Sequence, residues 1–164
     1  SKLEQALRQA ISNLVAMRET EGSNIYGDFI KRADLIAEKL AVIEERSPQV
    51  VEEYQTRLSD RINELLAKHN QVIEPERLLQ EVAIFADRTS ITEEIVRLKS
   101  HIKQFRLIID ADQPVGRKLD FLIQEFNREA NTIASKANDY TLAQVVVEIK
   151  AEIEKIREQI QNIE

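Results

Sequence analysis

An all-α fold is predicted by three features of the sequence: apolar residues recurring at steps of three and four, only three Gly and three Pro among 164 residues, and 32% charged side chains. The first feature gathers side chains on one side of a helix. The second leaves few points where the chain can turn, and the third suits extended helices with coiled-coil character. The expected architecture is about six helices arranged as long hairpins, an extended helical bundle with coiled-coil-like arms. Residues 1–73 read as a long helical hairpin arm and residues 74–164 as a C-terminal helical domain.

From Lys2 to about Arg46 two apolar stripes succeed one another: Leu3, Leu7, Ala10, Leu14 and Met17, then Phe29, Ala33, Ile36, Leu40 and Ile43. They are out of heptad phase across Arg18–Asp28, where Gly22 and Gly27 fall, so the expectation is one long helix with a kink or supercoil change there, or else two helices. A continuous helix over this stretch would span roughly 65 Å, the length of an arm. Ser47-Pro48 reads as a stop and restart, with Ser as N-cap and Pro at the first helical position. A second helix carrying Val51, Tyr54, Leu58, Ile62 and Leu65 would then run to about His69, where the imidazole suits the helix C-terminus, and fold back on the first before a turn over Asn70–Glu74. Pro75 opens a short third helix through Leu78, Leu79, Val82, Ile84 and Phe85 to Arg88.

Ser90-Ile91-Thr92-Glu93 fits a capping box and starts a fourth helix at 91. Its apolar side is Ile91, Ile95, Leu98, Ile102, Phe105 and Ile109. After a turn at Asp110–Pro114, a fifth helix from Gly116 to about Ala137 buries Leu119, Leu122, Ile123, Phe126, Ala130 and Ile133. Asn138-Asp139 restarts the chain, and the last helix carries Leu142, Val146, Ile149, Ile153, Ile156, Ile160 and Ile163, an almost strict heptad seam.

The chain has no Cys, which excludes disulfides, zinc-thiolate sites and cysteine nucleophiles and fits a reducing cytoplasm. No apolar run approaches the roughly 20 residues that span a bilayer, so no membrane partner is expected. The start Ser1-Lys2-Leu3-Glu4 lacks an initiator Met and lies almost inside a helical pattern, as an excerpt of a longer protein would. A net charge of −6 argues against a general nucleic-acid coat, yet from Arg97 to Lys118 six basic residues stand against Asp110 and Asp112.

The fifth helix has an unusually diverse polar surface. Asn and Thr are poorer helix formers than Ala by roughly 0.5 kcal/mol, so propensity did not select them. Three polar strips stand out: Glu94/Arg97/His101/Gln104, Asp120/Gln124/Asn127/Asn131 and Glu125/Arg128/Glu129/Thr132. Carboxylates on neighbouring turns, joined by a His from another helix, could hold Mg2+ or Mn2+ and act on a phosphodiester. The same groups could equally serve as inter-helix salt bridges and caps, the use that composition alone favours. His101 could be general acid, general base or ligand, or a hydrogen-bonded structural residue. The basic residues 97–118 could bind phosphate beside the helix N-terminus or form a solvated face. A Ser-His-Asp triad, a phosphate-binding Walker loop, a dinucleotide fingerprint and a metalloprotease motif are absent.

Ala86-Asp87-Arg88, the run Glu93 to His101, the block Gly116 to Lys136 and the ending Glu154 to Glu164 together resemble the C-terminal part of the bacterial YicC family (YicC/YloC-like proteins). Residues 117–132 resemble the family signature almost residue for residue, and Met17 to Gly22 resembles an earlier element. The resemblance implies a cytoplasmic, divalent-metal-assisted endoribonuclease that cleaves single-stranded or structured RNA and assembles as a ring-like homo-oligomer, a hexamer. It also implies a preceding domain that this chain lacks. Combined with the polar surface, it makes Asp120, Glu125 and Glu129 candidate metal ligands, with Mn2+ or Mg2+ as cofactor. His101 becomes a ligand or proton-transfer group beside the catalytic candidates Glu125 and Glu129, and Arg97, Arg117, Lys118 and Arg128 become contacts to RNA phosphates. The competing reading is a non-enzymatic helical oligomerisation scaffold or RNA-binding adaptor.

Overall fold

Phe29, Ile36, Ile43 and Val50 lie seven residues apart, with Ala33 and Leu40 between them, and this buried stripe passes through Pro48 without changing phase. The computed structural model, which describes residues 2–68, 74–111 and 114–163, accordingly has one unbroken helix, α1, from Lys2 to Ala67. The stop and restart expected at Ser47-Pro48 does not occur, and in place of the expected hairpin Lys2–Ala67 is a single helix about 100 Å long by its rise per residue. An internal Pro removes a backbone hydrogen bond and costs about 3 kcal/mol, so something must hold the two sides of Pro48 in line. Burial of Ile43 before it and Val50 after it does so. Arg46 adds a strap, donating to both carboxylate oxygens of Glu53 at 2.5 and 2.9 Å. The helix is also unbroken across Gly22 and Gly27, where the apolar stripe changes phase. His69 and most of the turn expected after it lie outside the described residues, as does Asp112.

Four further helices follow: α2, Pro75–Arg88; α3, Thr92–Ile109; α4, Gly116–Lys136; and α5, Tyr140–Ile160. Five helices among the described residues thus replace the expected six, the merger at Pro48 accounting for the difference. The capping box at Ser90 does not form either. Ile91, only 1% exposed, takes the N-cap position of α3 without a side-chain cap, because burying it places Ser90 in the preceding turn, where its amide donates to the Asp87 carbonyl. Glu93, freed of the cap, pairs with Arg97 at 2.8 Å.

The middle of α1 forms a four-helix bundle with α3, α4 and α5, in the cyclic order α1, α3, α4, α5. Each neighbouring pair is antiparallel. Along α1, for example, Arg32 meets Glu152, Lys39 meets Glu148 and Arg46 meets Asp139. The seam of α5, from Leu142 to Ile160, faces the Phe29–Val50 stripe inside one continuous core. α2 lies against the distal part of α1, where Tyr54 and Phe85 stack with centroids 3.7 Å apart. The first stripe is different: Leu3, Leu7, Leu14 and Met17 are all more than half exposed. No helix among the described residues is long and apolar enough to cross a membrane.

Asp139 fixes the corner between α4 and α5. Its carboxylate accepts from the Leu142 amide at 2.9 Å, capping α5, and from Arg46 at 2.7 Å. The Arg46 hydrogen bond holds its pKa below the ordinary carboxylate value, against the opposing effect of burial and with help from the Leu142 amide. A depressed pKa stabilises the fold at every pH above the ordinary Asp value of about 4, and that contribution disappears as pH falls through the lower folded value. Asp139→Ala is expected to cost about 1–2 kcal/mol at neutral pH in chemical denaturation and to flatten the acid limb of stability. Asp139→Asn should keep the cap but lose the acid sensitivity due to the Arg46 pair.

Candidate metal centre

α3 and α4 run antiparallel, and their facing turns divide the polar surface of α4 into two flanks. On the flank toward α5, Gln124 donates to Asp120 at 3.0 Å and Lys150 donates to Asn131 at 2.8 Å. These are surface hydrogen bonds that hold the helix and its neighbour. The flank toward α3 carries Glu125 and Glu129 on successive turns, facing His101 across the helix pair. One ligand atom from each of these three residues can be chosen so that all lie within 4.8 Å of one another. Asp120 is exposed on the other flank and does not join them.

The electrostatics of the cluster are under-compensated. Glu129 is 3% exposed, and its ion partner among the described residues is an Arg97 guanidinium 4.0 Å away. That guanidinium is itself held by Glu93 at 2.8 Å. The His101 Nδ1 is buried without a hydrogen-bond partner among the described residues, while its ring lies on Phe126 at a centroid distance of 6.4 Å. A buried carboxylate and a buried ring nitrogen each cost free energy unless something satisfies them. Two carboxylates and one imidazole form a donor set suited to Mn2+, and to Mg2+ through the oxygens, with positions left for water or phosphate. The residues present therefore fit a divalent cation.

Around this cluster, Arg128 is exposed and lies 3.5 Å from Glu125. Arg97 reaches its rim from α3. Arg117 and Lys118 are exposed on the first turn of α4, two turns or more from Glu125. Arg97 and Arg128 thus border the cluster, and Arg117 and Lys118 stand about two turns away from it. Glu94, which is buried, forms a separate pair with the half-buried Lys136 at 2.7 Å. Burial is the largest single effect there and favours the neutral acid, but the hydrogen bond from Lys136, the Glu94 backbone amide and the charges of Lys136 and Arg97 together outweigh it and keep the Glu94 pKa below the ordinary value. Sequence reasoning placed Glu94 on the same strip as Arg97 and His101 but did not pair it with Lys136. The available signal was a lone Lys in the last turn of a helix whose neighbour begins with acids.

Residues 43–164 match the family model described as "Endoribonuclease YicC-like, C-terminal". The chain belongs to the YicC-like family. It is 52% identical over all 164 residues to the "Probable endoribonuclease YicC" of Clostridioides difficile (strain 630), covering 56% of that protein. It is 37% identical over 159 residues to the "Probable endoribonuclease YicC" of Haemophilus influenzae (strain ATCC 51907 / DSM 11121 / KW20 / Rd), covering 97% of this chain and 54% of that protein. The chain spans about half the length of these YicC relatives.

Proposed function

We propose that the chain is the metal-binding helical part of a cytoplasmic endoribonuclease, and that His101, Glu125 and Glu129 hold a Mn2+ or Mg2+ ion at the site of RNA cleavage. The observation that carries this reading is the convergence between α3 and α4 of the His101 imidazole and two carboxylates, one of them almost fully buried, each offering a ligand atom within 4.8 Å of the others. The names of the relatives support RNA as the substrate class. A divalent cation held by these groups would withdraw charge from a phosphodiester and make water more acidic. The chain's own residues hold and orient. Glu129 is fixed by burial, Glu125 sits at the open side, and Arg97 and Arg128 offer guanidiniums to non-bridging phosphate oxygens. Phe126 backs the His101 ring and limits its rotation. Asp120, on the far flank, supports the surface of α4.

The exposed stripe Leu3, Leu7, Leu14 and Met17 favours a further element of the reading, homo-oligomerisation through the α1 arm, as expected of a hexameric ring. The function is tested by pairing Mn2+ binding to the 164-residue chain, followed by electron paramagnetic resonance, with RNA cleavage by a full-length family member carrying this segment. Cleavage should require Mn2+ or Mg2+ and stop in chelator, and His101→Ala should weaken Mn2+ binding at least tenfold. Undiminished cleavage in chelator would sink the metal assignment. If the His101→Ala chain binds Mn2+ like the unmodified chain, the ligand set is wrong.

A further inference from the structure

Phe121 lies one helical turn before Glu125, on the same flank of α4, and is 62% exposed. The other aromatic residues of α3 and α4, Phe105 and Phe126, are fully buried. Exposing most of a phenyl ring forfeits the burial that places aromatics inside a fold. The surroundings of Phe121 are not those of an apolar docking patch. Its helical neighbours at three and four residues are Arg117, Lys118, Gln124 and Glu125, and neither Arg117 nor Lys118 has an ion pair among the described residues. A flat hydrophobic face with two cations unpaired among the described residues one turn to its N-terminal side is complementary to a nucleobase attached to a phosphate chain, and not to a greasy protein surface.

We propose that Phe121 is a stacking platform for an unpaired nucleobase, placed one nucleotide from the bond cleaved at the His101–Glu125–Glu129 site, so that the substrate is RNA that is single-stranded there. This rests on the ribonuclease reading for the identity of the cleaved bond. The separation of Phe121 and Glu125 along the helix, about 6 Å, is comparable to one nucleotide step of an extended strand. Aromatic rings accept bases only when both faces are not already covered by a duplex stack, which is why recognition of this kind selects loops, bulges and single strands. Arg117 and Lys118 would take the phosphates on one side of the stacked base and Arg128 those on the other. Stacking on a ring is tolerant of base identity, so the device selects unpaired structure and not a sequence.

The chain has no Trp, so Phe121→Trp introduces the only indole and reports directly on stacking. In chelator, where cleavage is suppressed, its fluorescence should be quenched by an unstructured oligoribonucleotide and unaffected by the same sequence as a duplex. Phe121→Ala should weaken binding of the single strand by roughly 5- to 100-fold, Phe121→Tyr should bind within a few-fold of the unmodified chain, and Mn2+ affinity should be the same in all three. Equal quenching by duplex and single strand would overturn the proposal. Unchanged RNA affinity in Phe121→Ala would do the same, and if that variant also has a smaller particle mass the ring is a contact between protein chains. Binding and cleavage are read separately: single-strand-specific quenching by a protein that never cuts RNA would uphold the stacking platform and remove the ribonuclease reading.

Discussion

On the proposed reading, Glu129→Gln in a full-length protein carrying this segment is expected to lower RNA cleavage by roughly 10²-fold or more, the scale on which a positioned catalytic group acts, and to do so without weakening the fold. The side chains are nearly isosteric, so packing between α3 and α4 is preserved. The charge that disappears is 3% exposed and faces a guanidinium no nearer than 4.0 Å. Such a charge is a burden on the folded state when no cation is bound. Glu129→Gln should therefore melt at the same temperature as the unmodified chain or higher in chelator, and should lack the stabilisation that the proposed Mn2+ site predicts for the unmodified chain on adding the ion. The neighbouring Glu94→Gln provides the contrast. Its carboxylate is paired with Lys136 at 2.7 Å, so the same change there should cost roughly 1–3 kcal/mol and leave Mn2+ binding intact. A Glu129→Gln chain that unfolds more readily in chelator while cutting RNA at the normal rate would make Glu129 a structural ion-pair residue.

The two carboxylates differ in a way that periodicity cannot express. Glu94 and Glu129 both stand on helical flanks beside apolar stripes, and both were visible as members of polar strips. Which one is paired depends on the register of α3 against α4, and register is a tertiary quantity. The same limit explains Asp120. By sequence it belongs to the diverse side of α4 as much as Glu125 does, but the 140° that separate them around the helix, by the usual 100° per residue, turn one toward α5 and the other toward α3. His101 was legible only as a member of the polar strip Glu94/Arg97/His101/Gln104; that it faces Glu125 and Glu129 comes from the packing of α3 on α4. The bundle's core was legible almost residue by residue, since α3, α4 and α5 each carry one apolar stripe with buried members as expected. Pro48 misled because local rules treat it as punctuation. The stripe on either side keeps a seven-residue step from Ile43 to Val50, and burial along it outweighs the missing hydrogen bond. Periodicity already leaves Phe121 off the buried stripe of α4; what the fold adds is that no neighbouring element covers the ring, which stays 62% exposed.

Phe126→Ala is expected to cost about 3–5 kcal/mol, the usual penalty for deleting a fully buried ring, out of a total stability of about 5–15 kcal/mol for a single domain. The ring has 0% exposure and belongs to a line of aromatics that ties three helices together. Phe29 of α1 meets Phe105 of α3 edge-on at 5.5 Å, Phe105 meets Phe126 of α4 at 5.9 Å, and Phe126 meets His101 at 6.4 Å. Denaturant unfolding should show a lower midpoint with an unchanged slope, since the surface exposed on unfolding is nearly the same. Phe126→Leu should recover more than half of the loss by filling most of the space. The site gives a second readout. With the ring gone, the imidazole loses the wall that restricts its orientation, so the folded fraction of Phe126→Ala should bind Mn2+ more weakly than the unmodified chain, whereas Phe105→Ala, one ring further away, should destabilise comparably with a smaller effect on Mn2+. Equal Mn2+ affinities in these two variants would separate the core from the centre; unequal ones would make Phe126 the residue through which the bundle's packing holds His101 in place.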